Sequence, residues 1–148
     1  MPIISEILSN RTIQAAAISW ASAQVIKALL TLILTRKFSM ERMVGSGGMP
    51  SSHSAMSCAM VMSIGFEEGF ESPVFALAFC FAMVVMYDAA GVRRSTGRNA
   101  AAFNQLVRDL GEKGFVLDEV RLKELVGHTP VQVMAGALLG ILIGTLLS

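Results

Sequence analysis

A chain of 148 residues with 53% hydrophobic and only 16% charged side chains, at a mean hydropathy of +0.60, is too apolar for a water-soluble domain, where about a quarter of residues carry charge. Twelve Lys and Arg against eleven Asp and Glu leave a net charge of +1, which argues against the bulk basicity of a nucleic-acid binder and the charge excess of a disordered chain. Cys58 and Cys80 sit in apolar runs without zinc-type spacing and read as core thiols. What remains is one domain, 1–148, in the class of small all-α integral membrane proteins.

The first apolar run predicts a helix at about 13–36, and from Thr12 to Thr35 its only charge is Lys27. Trp20, Gln24, Lys27 and Thr31 follow helical spacing and form a polar stripe. Lys27 precedes Arg36 by nine residues, about 13 Å along a helix. It either snorkels toward a water-filled crevice or faces a ligand at that end. Glycines 45, 47 and 48 then lead to Pro50, which opens a second run at about 50–66 free of charge. Ser72-Pro73 starts a third at about 73–90, and Thr129-Pro130 a fourth at about 130–147; in each a hydroxyl cap precedes a proline in the first turn. The second and third runs are short for a bilayer of about 30 Å, and a buried soluble core is the alternative. Four such runs would leave that alternative almost no polar surface.

Between the third and fourth runs lies the one sizeable polar insertion, about 91–127. Phe103, Leu106, Val107 and Leu110 recur with the period of an amphipathic helix, which either lies on the bilayer surface or packs on the end of the bundle. A second short helix is expected at about 118–126, before Gly127. No signal peptide or internal repeat is evident.

The loop charges orient the bundle. Arg36, Lys37 and Arg42 follow the first helix, and seven further basic residues lie in the insertion, whereas the loop between helices two and three carries Glu67, Glu68 and Glu71. Basic loops stay cytoplasmic, so the basic end is expected in the cytoplasm, with both termini opposite; Arg11 opposes this mildly. Up-and-down connectivity brings to that basic end Arg36, Arg42, Ser51, Ser52, His53, Asp88, Arg93, Arg94, His128 and Gln132.

Those residue types suit an anion. A helix N-terminus at Pro50–His53 offers backbone N–H groups and partial positive charge to phosphate oxygens, and arginines add forked donors. Of two histidines, one can attack phosphorus while the other protonates the leaving oxygen. No carboxylate and histidine cluster has metal-ligand spacing, so neither a metal nor another cofactor is expected.

Three motifs stand in order: Gly-Gly-Met-Pro-Ser-Ser-His-Ser-Ala (47–55), Met-Tyr-Asp-Ala-Ala-Gly-Val-Arg-Arg (86–94) and Gly-His-Thr-Pro-Val-Gln-Val-Met-Ala-Gly (127–136). With the stripe of Trp20, Gln24 and Lys27, they resemble the divergent type 2 phosphatidic acid phosphatase family, related to acid phosphatases and vanadium-dependent haloperoxidases, over nearly the whole chain. The resemblance implies His128 as nucleophile and His53 as general acid, with Ser52 where the parent phosphatases have glycine. Gln132 stands where they have an orienting aspartate; it can accept from His128 but cannot stabilise imidazolium by charge, unless Asp88 or Glu124 substitutes. The third-motif arginine corresponds to Arg93 or Arg94. Leu34 occupies the arginine place of the first motif, so Arg36 or Arg42 takes that role.

The expectation is therefore a metal-independent lipid-phosphate phosphatase of the inner membrane, acting on its cytoplasmic face through a phosphohistidine. Phosphate contacts would come from Lys27, Arg93, Arg94, Ser51, Ser52 and Arg36 or Arg42, supported by Gln24 and Asp88. Its partners are the bilayer and a lipid phosphate, with a homodimer open because four short helices enclose little. The alternative is a lipid-phosphate or anion binder or transporter without turnover.

Overall fold

The computed structural model describes residues 2–36, 48–113 and 127–148. Among these residues six helices follow in order: α1 Pro2–Ser9, α2 Arg11–Thr35, α3 Ser52–Glu68, α4 Pro73–Ala90, α5 Val92–Glu112 and α6 Pro130–Leu147. The protein is an all-α membrane bundle. The hydroxyl caps anticipated before Pro73 and Pro130 are made: Ser72 accepts the Phe75 N–H, and Thr129 accepts that of Gln132. Helix α1, with no buried residue, was not anticipated, because eight residues are too few to establish a period. The amphipathic helix begins at Val92, directly after Gly91, and among the described helices touches α4 alone. The helix expected at 118–126 lies outside the described residues.

Among the described residues, three stretches are long and apolar enough to cross a bilayer: Arg11–Thr35, the run from Pro73 through Glu112, and Pro130–Leu147. The remaining expected span, α3, differs in kind. Its 17 residues reach only about 25 Å, and it is enclosed by α2, α4 and α6. Ser52, Ser54, Ser57 and Ser63 are buried along it.

The bundle is small inside and bulky outside. Ala15, Ala16, Ala23, Ala55, Ala59 and Ala137 line the interior with serines, whereas Leu34 is 80% and Leu77 72% exposed. Lipid tails are as apolar as leucine, so burying large side chains between helices gains little, and small residues allow close backbone contact. Cys80 follows this rule and faces outward while Cys58 is buried, which corrects the reading of both as core thiols.

Direction follows from pairs along α3. Thr12 Oγ1 lies 3.1 Å from Ser63 Oγ, Ser19 Oγ donates to the Ala55 carbonyl at 2.9 Å, and the Lys27 stem packs on Gly48, so α2 is antiparallel to α3. Cys58 Sγ meets Met86 Sδ at 3.9 Å, and Val61 packs with Ala78 and Ala82, so α4 is antiparallel too. Gly136, Gly140 and Gly144 face Ser51, Ala55 and Ala59 in the same order. Helix α6 therefore runs parallel to α3, and both start at one end.

Candidate functional site

Two helix N-termini lie side by side at that end, joined through the main chain. The Ser51 N–H donates to the Gln132 carbonyl at 3.0 Å. The end of α4 is tied in as well, since the His128 N–H donates to the Ala89 carbonyl at 3.0 Å. These bonds place His53, in the first turn of α3, against His128, just before the cap of α6. Their ring centroids are 6.0 Å apart with planes at 74°, an edge-to-face contact. His128 is 1% exposed and His53 half-buried.

Lys27 reaches this region from α2. It is 1% exposed, and its ammonium donates to Gln24 Oε1 at 2.8 Å, so Gln24 holds the lysine head. The stem lies against Gly48, whose φ of +99° belongs to glycine, and a Cβ there would stand 3.0 Å from Lys27 Cγ. Gly48 thus lies over the lysine stem four residues before α3 begins. Trp20, on the same stripe by angle, is 47% exposed and faces outward; only Gln24, Lys27 and Thr31 of the stripe turn inward or half inward.

The first turn of α3 is already partly committed. Ser51 is fully buried, its N–H bonded to Gln132 and its hydroxyl accepting from Ser54 N–H and Ser54 Oγ. Its amide therefore joins the two helices, in contrast to the expectation that it faces phosphate. The Ser52 amide takes no part in this capping. Gln132 is likewise a clasp: its Oε1 accepts the Thr129 N–H at 2.9 Å while Thr129 Oγ1 accepts the Gln132 N–H. This is the reciprocal capping box of a Thr-x-x-Gln start.

The remaining expected residues are placed unevenly. Asp88 is half-buried, one residue before the carbonyl that binds His128. Arg93 and Arg94 fall in the first turn of α5. Arg36 caps α2 in the left-handed conformation, φ 51°, and is exposed. Arg42 and Glu124 lie outside the described residues. Sequence reasoning missed the glycines of α6 and the clasp of Gln132. Both had a signal, glycines at every fourth residue and the Thr-x-x-Gln spacing.

Fold and site together define a small helical membrane protein in which a buried and a half-buried histidine meet at one end of the bundle. The chain belongs to the Divergent PAP2 family, whose profile matches residues 8–143. It is 37% identical over 155 aligned positions to the uncharacterized membrane protein YuiD of Bacillus subtilis strain 168, with 97% of each chain covered. No solved structure matches it.

Proposed function

We propose that this protein is a metal-independent lipid-phosphate phosphatase acting through a phosphohistidine. The observation that carries the reading is the contact of His53 and His128 at the joined N-termini of α3 and α6, with ring centroids 6.0 Å apart. A neutral His128 nitrogen attacks phosphorus as the ester P–O bond breaks. Protonated His53 passes its proton to the leaving alkoxide. Neutral His53 then takes a proton from water, whose oxygen displaces His128 and releases phosphate.

The dimensions suit one phosphoryl group. The attacking nitrogen needs to be about 3–3.5 Å from phosphorus and the acid about 2.6–3.2 Å from the leaving oxygen, so the two nitrogens stand roughly 7 Å apart in the reacting complex. Edge-to-face rings reach that separation by a modest rotation of half-buried His53, and both belong to one chain, so the pair needs no second copy. Charge on the phosphoryl oxygens is offset by Lys27, the Ser52 amide and the partial positive charge of two parallel helix N-termini, with Arg93, Arg94 and Arg36 or Arg42 as further donors. The basic loops support a cytoplasm-facing site in the inner membrane.

A second reading, a lipid-phosphate binder without turnover, is favoured by one observation: Gln132 replaces the charged orienter, and its Oε1 already accepts the Thr129 N–H. Purified protein in detergent with EDTA decides between them. Phosphate release from phosphatidic acid, phosphatidylglycerophosphate or a prenyl phosphate, lost in His128→Ala, supports the enzyme. Vanadate binding without release or a trapped phosphoenzyme supports the binder. If His128→Ala releases phosphate equally well, the phosphohistidine mechanism is wrong.

A further inference from the structure

The packing of α6 on α3 bears on the histidine pair itself. Ser51 is held by α6 from two sides: its N–H is bonded to the Gln132 carbonyl, and its own carbonyl lies on Gly136, one helical turn further along. A Cβ at residue 136 would collide with that carbonyl and also stand 3.1 Å from Ser51 C and N, so the obstacle is main chain that cannot rotate away. His53 follows Ser51 by two residues and His128 precedes Gln132 by four. The spacing of 51 from 132 and 136 is therefore the spacing from which both imidazoles are hung.

We propose that Gly136 is a positioning residue of the two-histidine site: by seating α6 directly on Ser51, it sets the separation of His53 and His128. The inference rests on the two-histidine reading above and deepens it. A methyl group at 136 moves the start of α6 away from Ser51, lengthens the Ser51–Gln132 bond and parts the rings. Displacements of about 1 Å at reacting groups cost on the order of 10²-fold in rate.

The same seam supplies its own controls. A Cβ on Gly140 would collide with the Ala55 carbonyl and stand 2.9 Å from Cys58 Cβ, one turn below the site. On Gly144 it would stand 2.7 Å from the Ala59 carbonyl and 2.8 Å from Met62 Cβ, two turns below. All three substitutions strain the same interface, yet only the first lies against the residue from which the site is built.

The test is the series Gly136→Ala, Gly140→Ala and Gly144→Ala in detergent, with kcat and KM for a lipid phosphate measured beside the thermal midpoint. The expected result is a kcat loss of about 10²-fold for Gly136→Ala, a smaller loss for Gly140→Ala and less than about twofold for Gly144→Ala, although all three midpoints fall. A second readout needs no turnover. With Cys58 and Cys80 replaced by alanine, His53→Cys/His128→Cys is bridged by a short bis-methanethiosulfonate, and bridging should fall in the same order. Equal kcat loss across the series, or bridging indifferent to Gly136→Ala, overturns the proposal. If Gly136→Ala does not fold, Gly140→Ala against Gly144→Ala carries the same ordering. Should the unmodified protein release no phosphate from any lipid tried, the phosphatase reading fails, and bridging alone decides whether Gly136 sets the separation.

Discussion

Along α2, the central helix is held through side chains: Ser19 Oγ reaches the Ala55 carbonyl at 2.9 Å, and Thr12 Oγ1 reaches Ser63 Oγ at 3.1 Å and Glu67 Oε2 at 3.2 Å. Along α6 it is held backbone against backbone, over Gly136, Gly140 and Gly144. The Ala55 carbonyl shows both modes, accepting from Ser19 on one side and lying on Gly140 on the other. Hydroxyl contacts tolerate small shifts because side chains rotate, whereas two main chains in contact have one fitting distance. The rigid mode is used between the two helix starts at which His53 and His128 meet, where the proposed phosphoryl transfer needs a fixed distance. The adjustable mode holds the helix that carries Lys27, a long and flexible cation.

That contrast can be broken at graded positions. The largest effect is expected at the junction of α3 and α6: on the proposed mechanism, His128→Ala should lower phosphate release by at least about 10³-fold in a coupled phosphate assay, since it removes the proposed nucleophile. Next is the seam itself: Gly140→Val should destabilise by about 3 kcal/mol or more in an unfolding titration, because overpacking against a carbonyl has no local relief. On the α2 side, Lys27→Met should leave the fold intact, its stem and volume being kept, but on the proposed mechanism weaken phosphate release about 10²-fold by removing the buried cation assigned to the phosphoryl oxygens. Ser19→Ala should cost about 0.6 kcal/mol, the usual worth of an interhelical hydrogen bond in a membrane bundle. If Ser19→Ala proves as damaging as Gly140→Val under the same titration, the two interfaces do not differ in kind.

The legible part of the fold was carried by local chemistry. Ser72-Pro73 and Thr129-Pro130 marked two helix starts correctly, because a capping hydroxyl and a proline act within four residues of one another. The convergence of His53 and His128 was legible from connectivity, and the 6.0 Å contact agrees with it. Other features depended on neighbours and were misread. Trp20 shares a helical angle with Lys27 yet faces outward, and Cys80 lies in an apolar run yet is exposed on the outside of the bundle. Apolar periodicity does not distinguish lipid from protein as the burying medium.

By itself, then, the sequence determined a helical membrane protein: scarce charge, four apolar runs and a polar set gathered at one end follow from hydropathy and caps, which act over one or two turns. Only the tertiary structure decided that α3 is the enclosed centre, that Ser51 and Gln132 clasp the two helix starts, and that glycines seat α6 directly on α3 below the point where the histidines meet. Such choices are made by which backbones touch, and backbone contact is a property of two helices at once.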